Sequence, residues 1–345
     1  MIGLAAAYPT LGKSGGTLKA EITVNYVVIA LIFFISGLSL KSTALLDSIL
    51  YIRLIALVQL FSLVLVPTLG YFLSKLLLLV NFDENLANGL VVAMCIPTTI
   101  SSNVLMTKAA DGNEAAALTN AVLGSIIGIF VSPALIYWFL NLAAAANPID
   151  YSSVFAKLAM TIIGPLVVGQ IIRLVFPATI SYLQSVVNFS IINSCLLLAL
   201  IYEVFCDTFS SNSFQKVSTG SFIAVIFLVM AIFLFLSWIS FLISRIPYFN
   251  FSRPDTVAII MCSATKSAAL GIPIIKVVFS DNPNIGIITL PLLLFHAEQL
   301  IGGSFMVPWL KSWVGFAVKS SNNDSVDVEI ETITVQEERS VEVGN

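Results

Sequence analysis

Two long hydrophobic stretches of this chain are interrupted in the same way, and the polar residues at the interruptions are the ones that could do chemistry. Each stretch begins as an apolar helix, reaches a Met-Cys pair and crosses a polar patch at mid-membrane depth. Lipid cannot solvate unpaired backbone groups, so such a patch must line a cavity or be buried in protein. A matching break in each half of a chain indicates a transporter's binding site. The polar residues are Ser101, Ser102 and Asn103 in the first stretch and Thr265, Lys266 and Ser267 in the second.

The first break allows two interpretations. Pro97 removes a backbone donor and disfavours helix at the residue before it, so freed carbonyls and hydroxyls could coordinate a hard cation such as sodium. Alternatively, Pro97 produces a simple kink and the hydroxyls bond back to the helix. The matching break at 264–267 favours the functional interpretation. Thr119 and Asn120, on the next predicted helix, could be ligands or could make helix–helix contacts.

Lys266 is the most informative single residue, because an amine at bilayer depth is costly and is by default functional. It could bind an anionic substrate, shuttle a proton or stand where a metal cation would otherwise sit. It could instead form a structural ion pair, with Glu298 on the next span as the partner. Glu203 lies close to the end of a predicted span, so we expect it to be solvated and structural.

The composition is that of a helical membrane protein. The chain has 345 residues, of which 58% are hydrophobic and 10% are charged, and its mean hydropathy is +0.99. Soluble domains carry about 25% charged residues, and the apolar runs here are about 20 residues or longer, which is helical span length. Nucleotide-binding, GxSxG and HExxH motifs are absent, and the four cysteines lack metal-ligand spacing. We therefore expect neither an enzyme nor a nucleic-acid partner, and no bound metal centre.

Hydropathy predicts nine spans and one fragment. Residues 1–8 are apolar but too short to cross a bilayer, and we interpret them as the end of a truncated first helix. The design would then be ten helices in two halves of five, with the breaks in the fourth and ninth, and an odd number per half inverts the second repeat. The predicted spans are 22–40, 49–71, 86–108, 115–140, 154–175, 186–205, 221–243, 255–279 and 285–309.

Charge distribution predicts the orientation. One side of the predicted topology collects eight Lys and Arg residues and the other collects six, so the positive-inside rule weakly favours the first side, which includes the C-terminus, as cytoplasmic. The C-terminal segment is acidic and nearly free of aromatic residues, which is typical of disorder. We therefore predict a transmembrane domain at 1–318 and a disordered acidic cytoplasmic tail at 319–345.

Several phrases of the sequence resemble the bile acid–sodium symporter superfamily, most closely its sodium/bile acid cotransporter 7 branch, which includes a fungal regulator of calcium homeostasis. They occur in consistent order from residue 17 to about residue 313. The phrases lie at 20–24, 33–41, 107–109, 112–117, 205–210, 255–260, 266–267, 270–273 and 291–294. The resemblance implies an all-α polytopic membrane protein with a ten-helix 5+5 inverted-repeat fold. It also implies a panel domain and a core domain, in which the two discontinuous helices cross.

The resemblance also implies two sodium sites behind the crossing, and the residues here match them only in part. Ser102 and Asn103 correspond to a serine-asparagine pair of the fourth helix. The hydroxyl positions of the fifth helix fall on Ala117 and Ala121, and no carboxylate lies near residues 261–262. Gln59 is the candidate for a glutamine of the third helix.

These departures lead to the functional expectations. A fixed ammonium repels a nearby cation strongly at low dielectric, so Lys266 could replace one sodium ion, and bile acid transport is not expected. The branch implies a membrane protein of cellular calcium homeostasis that restrains calcium influx, in the plasma membrane or the endoplasmic reticulum–Golgi system, with calcium-entry machinery as its partner. The alternative is a secondary active transporter of an organic or inorganic anion, with its site between Asn103 and Lys266. Apart from sodium, no cofactor is expected.

Overall fold

The computed structural model describes residues 2–13, 15–17, 23–39, 51–142, 151–210, 217–279, 282 and 284–343, with side chains as far as Gly315. This part of the chain contains helices and no strand, which confirms the all-α class. The helices are α1 Ile2–Ala7, α2 Pro9–Gly12, α3 Ile29–Ser39, α4 Ile52–Leu60, α5 Val66–Leu79, α6 Glu84–Cys95, α7 Ser101–Ala109, α8 Glu114–Phe139, α9 Tyr151–Leu158, α10 Gly164–Val175, α11 Pro177–Val186, α12 Phe189–Ser210, α13 Thr219–Ser244, α14 Arg253–Ala264, α15 Ala268–Val278 and α16 Ile285–Val343.

Three π-helical segments join or precede these helices. They are Thr23–Val28 before α3, Phe61–Leu65 between α4 and α5, and Ala159–Ile163 between α9 and α10. Pro67 and Pro165 stand at the second position of the helix that follows the latter two segments. A proline donates no backbone N–H, so a carbonyl in the preceding turn is left without its helical partner. Wide π turns of this kind are frequent at functional sites.

Seven of the nine predicted spans coincide in approximate position with helical stretches of the described chain. Seven stretches of the described chain are long and apolar enough to cross a membrane, and Tyr26–Ser39 is a shorter apolar helix. The remaining predicted span, 86–108, is present as α6 and α7 with the expected break between them. α11 is a separate helix that the hydropathy pattern did not predict.

Side chains cap the starts of α6, α14 and α8. Asp83 accepts from the Leu86 N–H at the start of α6, and Ser252 and Asp255 form a capping box at the start of α14. Asn113 caps α8, and its Nδ2 donates to Asp255 Oδ1 at 2.7 Å. This last bond joins the α7–α8 turn to the start of α14, so the two broken helices are connected at one end as well as at the crossing.

The helices form two layers. The smaller layer consists of α1–α3, α9, α10 and α12, and the larger layer consists of α4–α8 and α13–α16. Gly37 of α3 lies against the Leu166 carbonyl of α10, and Gly169 of α10 lies against the Phe34 carbonyl of α3. Reciprocal glycines allow these two backbones to approach as closely as membrane helices commonly do. In the most apolar 18-residue part of Arg253–Val278, 94% of the residues are buried inside the protein, so the second broken helix lies at the centre of the fold.

The backbone of the C-terminal segment differs from the conformation that the sequence predicts. The backbone of α16 continues as helix to Val343, whereas the sequence predicts disorder at 319–345. Side chains are described only as far as Gly315, so no contact that would hold the later turns in place is described. The division into 1–318 and an acidic cytoplasmic tail therefore stays a prediction.

Candidate functional site at the crossing of the broken helices

Both predicted breaks are present, and each has a local cause. α6 ends at Cys95, Ile96 is extended, and α7 begins at Ser101. Pro97 imposes the extended conformation on the residue before it. The second break consists of residues 265–267 between α14 and α15. Ser267 ends this break by capping α15, because its Oγ accepts from the Leu270 N–H at 3.3 Å.

The two breaks contact each other directly. The Ser267 N–H donates to the Pro97 carbonyl at 2.9 Å, and the hydroxyls of Thr98 and Thr265 lie 2.8 Å apart. The Thr265 hydroxyl is also 2.9 Å from Asn103 Oδ1, and Asn103 Nδ2 donates to Thr98 Oγ1. Thr98, Asn103 and Thr265 are all buried. These polar contacts between positions more than 160 residues apart establish the predicted crossing.

The ammonium group of Lys266 lies at this crossing and is completely buried, with 0% of the residue exposed. It donates to the carbonyls of Ile96 at 2.8 Å and Met94 at 3.0 Å. Its remaining neighbours are the carbonyl and the hydroxyl of Ser62, at 3.4 and 3.5 Å. The ammonium is therefore surrounded by neutral oxygens in the way that a bound cation would be.

The carbonyls of Met94 and Ser62 are available for structural reasons. The Met94 carbonyl belongs to the last turn of α6, where carbonyls have no intrahelical partner and carry the negative end of the helix dipole. In the π turn at Phe61–Leu65, the Val66 N–H bonds to the Phe61 carbonyl. The same spacing would pair the Ser62 carbonyl with the nitrogen of Pro67, which has no hydrogen. That carbonyl is therefore free to accept from Lys266.

Lys266 does not pair with Glu298, so the alternative of a structural ion pair between them is wrong for this structure. The three salt bridges of the described residues are Lys108–Glu114, Lys276–Glu203 and Lys311–Asp111. Glu298 is buried, and its Oε2 makes no hydrogen bond. The Lys266 side chain points instead towards α6 and the π turn.

The main chain of Lys266 is held by the side chain of Gln299 in α16. Its N–H donates to Gln299 Oε1 at 2.6 Å, and its carbonyl accepts from Gln299 Nε2 at 2.9 Å. His296 lies one helical turn away, with Nδ1 2.9 Å from Gln299 Nε2. Gln299 therefore satisfies a peptide unit that the break leaves without helical partners, and this fixes the direction of the Lys266 side chain.

Asn120 and Thr119 are buried in α8 behind the crossing. Gln59 Nε2 donates to the Asn120 carbonyl at 3.1 Å and to Asn120 Oδ1 at 3.0 Å, while Asn120 Nδ2 has no partner. The thiol of Cys262 lies 3.7 Å from the Ala117 carbonyl. Asn120 thus makes a helix contact between α4 and α8, which was one of the two interpretations of its sequence position.

This donor set does not fit a sodium ion. The side-chain oxygens of Asn103 and Asn120 already accept hydrogen bonds from Thr265 and Gln59, and the charged side chain in the second break is an ammonium. A positively charged Lys266 side chain at these carbonyls would also repel a second cation strongly at low dielectric. The carbonyls at the crossing are therefore already engaged by the side-chain nitrogen of Lys266.

A cleft lies beside the crossing, between the two layers. It contains two adjoining cavities of about 120 and 230 Å³, both lined by Ser36, Ile100, Ser101, Val122 and Asn193. The smaller cavity reaches Ser267, Ala269 and Leu270, and the larger reaches Ser39 and Ser190. The first residues of α7 and α15 therefore face the same cavity, from the two broken helices.

The predicted site residues divide into three places. Ser101 and Ser267 line the cleft, Asn103, Thr265 and Lys266 form the crossing, and Thr119 and Asn120 lie behind it. Ser102 lies next to Asn103, and its Oγ is buried without a partner. The sequence analysis missed the contribution of Ser62 and of the cleft residues Ser36 and Asn193, because the first acts through its carbonyl and the others are isolated polar residues in apolar spans.

Comparison with known proteins gives the family. The sequence pattern of the SBF-like CPA transporter family matches residues 1–312. Sodium/bile acid cotransporter 7-B of Xenopus laevis is 40% identical over 306 residues, which are 89% of this chain and 88% of the relative. The cotransporter 7 of Rattus norvegicus is 40% identical over 313 residues, 91% of this chain and 90% of the relative. Solute carrier RCH1 of Candida albicans is 29% identical over an alignment of 370 positions, which covers 95% of this chain and 90% of the relative. These matches show that the chain belongs to the SBF-like CPA transporter family.

Proposed function

We propose that this protein is a secondary carrier that moves a small organic or inorganic anion through the cleft between its two layers. The observation that carries this proposal is the convergence of two helix N-termini, at Ser101 and Ala268, on one cavity whose described lining residues include no carboxylate. The N-terminus of a helix presents unpaired N–H groups and a partial positive charge. Interrupted helices that point N-termini at an anionic group are a recurring feature of secondary transporters.

Polar side chains in the cleft give the anion further donors. Ser101 is exposed in the cleft, and Asn193 lines the cleft from the smaller layer. Asn193 Nδ2 also donates to Ser36 Oγ at 3.2 Å. These groups come from both layers, so an anion bound here would contact both. A movement of one layer against the other would then change access to the anion, which is the requirement of alternating access.

Uptake by purified full-length protein in liposomes tests the carrier proposal. We would measure accumulation of radiolabelled sulfate, phosphate, succinate and taurocholate, the last because the sequence predicts that bile acids are not carried. Saturable uptake of at least one of the first three, reduced about tenfold or more in Ser101→Ala and Asn193→Leu but not in Ser304→Ala, is expected. Ser304 is the matched control, since it is exposed on α16 and bonds only to the Leu300 carbonyl. Uptake no greater than in protein-free liposomes for all three would overturn the proposal.

We propose further that transport does not depend on sodium. The side-chain nitrogen of Lys266 already binds the carbonyls of Met94, Ile96 and Ser62, so a group attached to the chain occupies the place where a cation would bind the crossed helix ends. Equal initial rates in sodium chloride and in choline chloride are expected. A rate that rises in a saturable way with sodium would contradict this.

A second proposal concerns the role in the cell. We propose that the protein restrains calcium influx, either by carrying its substrate or by acting on calcium-entry machinery, in the plasma membrane or the endoplasmic reticulum–Golgi system, with the C-terminus in the cytoplasm. It is supported by the resemblance to the branch that includes a calcium regulator and by the similarity to solute carrier RCH1 over 95% of the chain.

Cytosolic calcium after store depletion or an external calcium pulse tests this role. Cells that lack the protein would be compared with cells that carry the wild type or Lys266→Ala. A larger calcium rise in the absence of the protein, corrected by the wild type but not by Lys266→Ala, would place calcium control at the crossed-helix site. An unchanged calcium rise would rule out the role, and the anion proposal would be judged on uptake alone.

A further inference from the structure

The two layers are joined by a buried ion pair at the side of the protein opposite the cleft. Glu203 in α12 of the smaller layer pairs with Lys276 in α15 of the larger layer. The Glu203 side chain is 1% exposed and the Lys276 side chain is 8% exposed. The sequence analysis expected Glu203 to be solvated at the end of a span. That expectation is wrong, because α12 continues to Ser210 and α15 and α16 cover the position.

α12 connects the cleft to this ion pair. Its first turns, at Phe189, Ser190 and Asn193, line the cleft, and Glu203 lies near its other end. Beyond Glu203, Phe205 packs in one buried cluster with Leu86, Ile287 and Leu290 of the larger layer, and Thr208 lies directly against Gly286. The interface is therefore open at one end of α12 and tightly packed at the other.

An ion pair has a property here that an apolar contact lacks. Burying two charges costs hydration energy, and apolar residues of similar size would commonly stabilise a permanent interface better. When the layers separate and water enters, both charges regain hydration, which offsets much of the lost attraction. Glu203 Oε1 is buried and has no hydrogen-bond partner, so the carboxylate is incompletely satisfied while the interface is closed. These features fit a contact that opens and closes repeatedly.

We infer that the Glu203–Lys276 pair holds the cleft closed on its own side and must separate for the cleft to open there. We call it the closing pair. The two residues are positioning residues, since they set the relation of the layers without touching the anion. The inference rests on the proposed carrier function, because only a carrier needs the closed side to open.

Cysteine accessibility in the purified full-length protein tests the closing pair without any substrate. Ile287→Cys places a thiol in the closed interface, where Ile287 is buried, and Cys195→Ser removes the exposed native thiol. In this background, Glu203→Gln and Lys276→Met are expected to raise the rate of maleimide labelling at position 287 by about tenfold or more, by shifting the population towards the open side. The exchange Glu203→Lys with Lys276→Glu is expected to restore slow labelling.

Two controls separate opening from unfolding. Lys157→Met, at an exposed lysine of the smaller layer, is expected to leave labelling unchanged. Cys262, buried at the crossing, reports loss of the fold. Unchanged labelling at position 287 in both single variants, no rescue by the exchange, or labelling of Cys262 in parallel would each overturn the inference. If labelling changes as expected but the protein transports no anion, the inference about the closing pair stands and only the proposed carrier function fails.

Discussion

Lys266 places a covalently attached amine at the point where carbonyls of two other segments converge. Its ammonium binds the carbonyls of Met94, Ile96 and Ser62 without a carboxylate among its partners. The break that contains Lys266 follows α14, and the Met94 carbonyl at the negative end of α6 accepts from its side-chain nitrogen. A covalently attached amine cannot diffuse away, and the group therefore stays at the crossing through any movement of the layers.

Removing this ammonium should create a cation site. Lys266→Ala leaves three carbonyls unsatisfied in a buried space, and we expect it to lower the free energy of unfolding by about 1–3 kcal/mol. Because carbonyl oxygens bind alkali cations in protein pores, sodium or methylammonium should then raise the midpoint of thermal unfolding in detergent.

The wild type and Lys157→Ala are the controls for this prediction. Neither should respond to sodium more than to choline at the same ionic strength, since both retain the Lys266 ammonium. If Lys266→Ala is as stable as the wild type and insensitive to small cations, the carbonyls do not form a cation site.

Gln299 offers a second test of the structure around Lys266. Gln299→Leu keeps the volume but removes both bonds to the Lys266 peptide, and one lost partner in a buried place costs about 1–3 kcal/mol. We expect a lower unfolding midpoint together with increased labelling of Cys262 by maleimide, because the break loses its support from α16. A variant with the wild-type midpoint would show that other groups satisfy this peptide.

The sequence predicted these residues unevenly, and the reason lies in what each contributes. Lys266 was recognisable because a charged side chain in an apolar span is itself a signal. Ser62 was not, because its carbonyl is freed by the π turn and Pro67, and nothing in the residue type records that. The partnership of Glu203 with Lys276 was also missed, since no local spacing rule connects residues 73 positions apart.

At the scale of the helices, the crossing depends on close contacts between a few small residues. Gly128 of α8 lies against the ring of Pro97, with no room for a Cβ. Pro97 is the residue whose carbonyl accepts from the Ser267 N–H. The position of the first break is thus set by the surface of α8 as well as by its own proline.

Gly128→Ala is expected to displace the first break. The added methyl group would meet Pro97, and overpacking of this kind costs about 1–3 kcal/mol. Thermal unfolding and anion uptake should both decline. Gly220→Ala is the matched control, because the nearest atom to its Cβ would be Ser218 Oγ at 3.9 Å, and a helical alanine there should be neutral or stabilise by up to about 1 kcal/mol. Equal stability of the two variants would show that Pro97 moves freely.

The elements themselves were predicted well where one physical rule dominated. Span length and the two breaks follow from apolar runs and from Pro97 and Ser267. The π segments and α11 were not predicted, because a single extra residue in a helical turn leaves no trace in a hydropathy pattern. The expectation that the helices divide into two groups came from the resemblance rather than from residue patterns. The apolar stretches alone give no information on which helices are neighbours.

For the whole molecule, the structure shows one conformation of a two-layer protein. The cleft is open near Ser39 and Ser190 and closed near Glu203 and Lys276. A sequence specifies both ends of the interface but not which of them is closed at a given moment, because that is a difference of a few kcal/mol between states. The side of the protein on which the cleft opens was therefore beyond sequence reasoning.

Thiol labelling in sealed vesicles tests which side of the membrane the open end of the cleft faces. Ser101→Cys in a Cys195→Ser background places a reactive thiol in the cleft. The cleft opens near the end of α3, on the side that the lysine and arginine count assigns to the cytoplasm. An impermeant maleimide should therefore label position 101 about tenfold faster from the cytoplasmic face than from the opposite face. Faster labelling from the opposite face would reverse the orientation and place the closing pair on the cytoplasmic side. Equal labelling from both faces would mean that the layers exchange between both open states, and Glu203→Gln should then shift the ratio towards the face on which the closing pair lies.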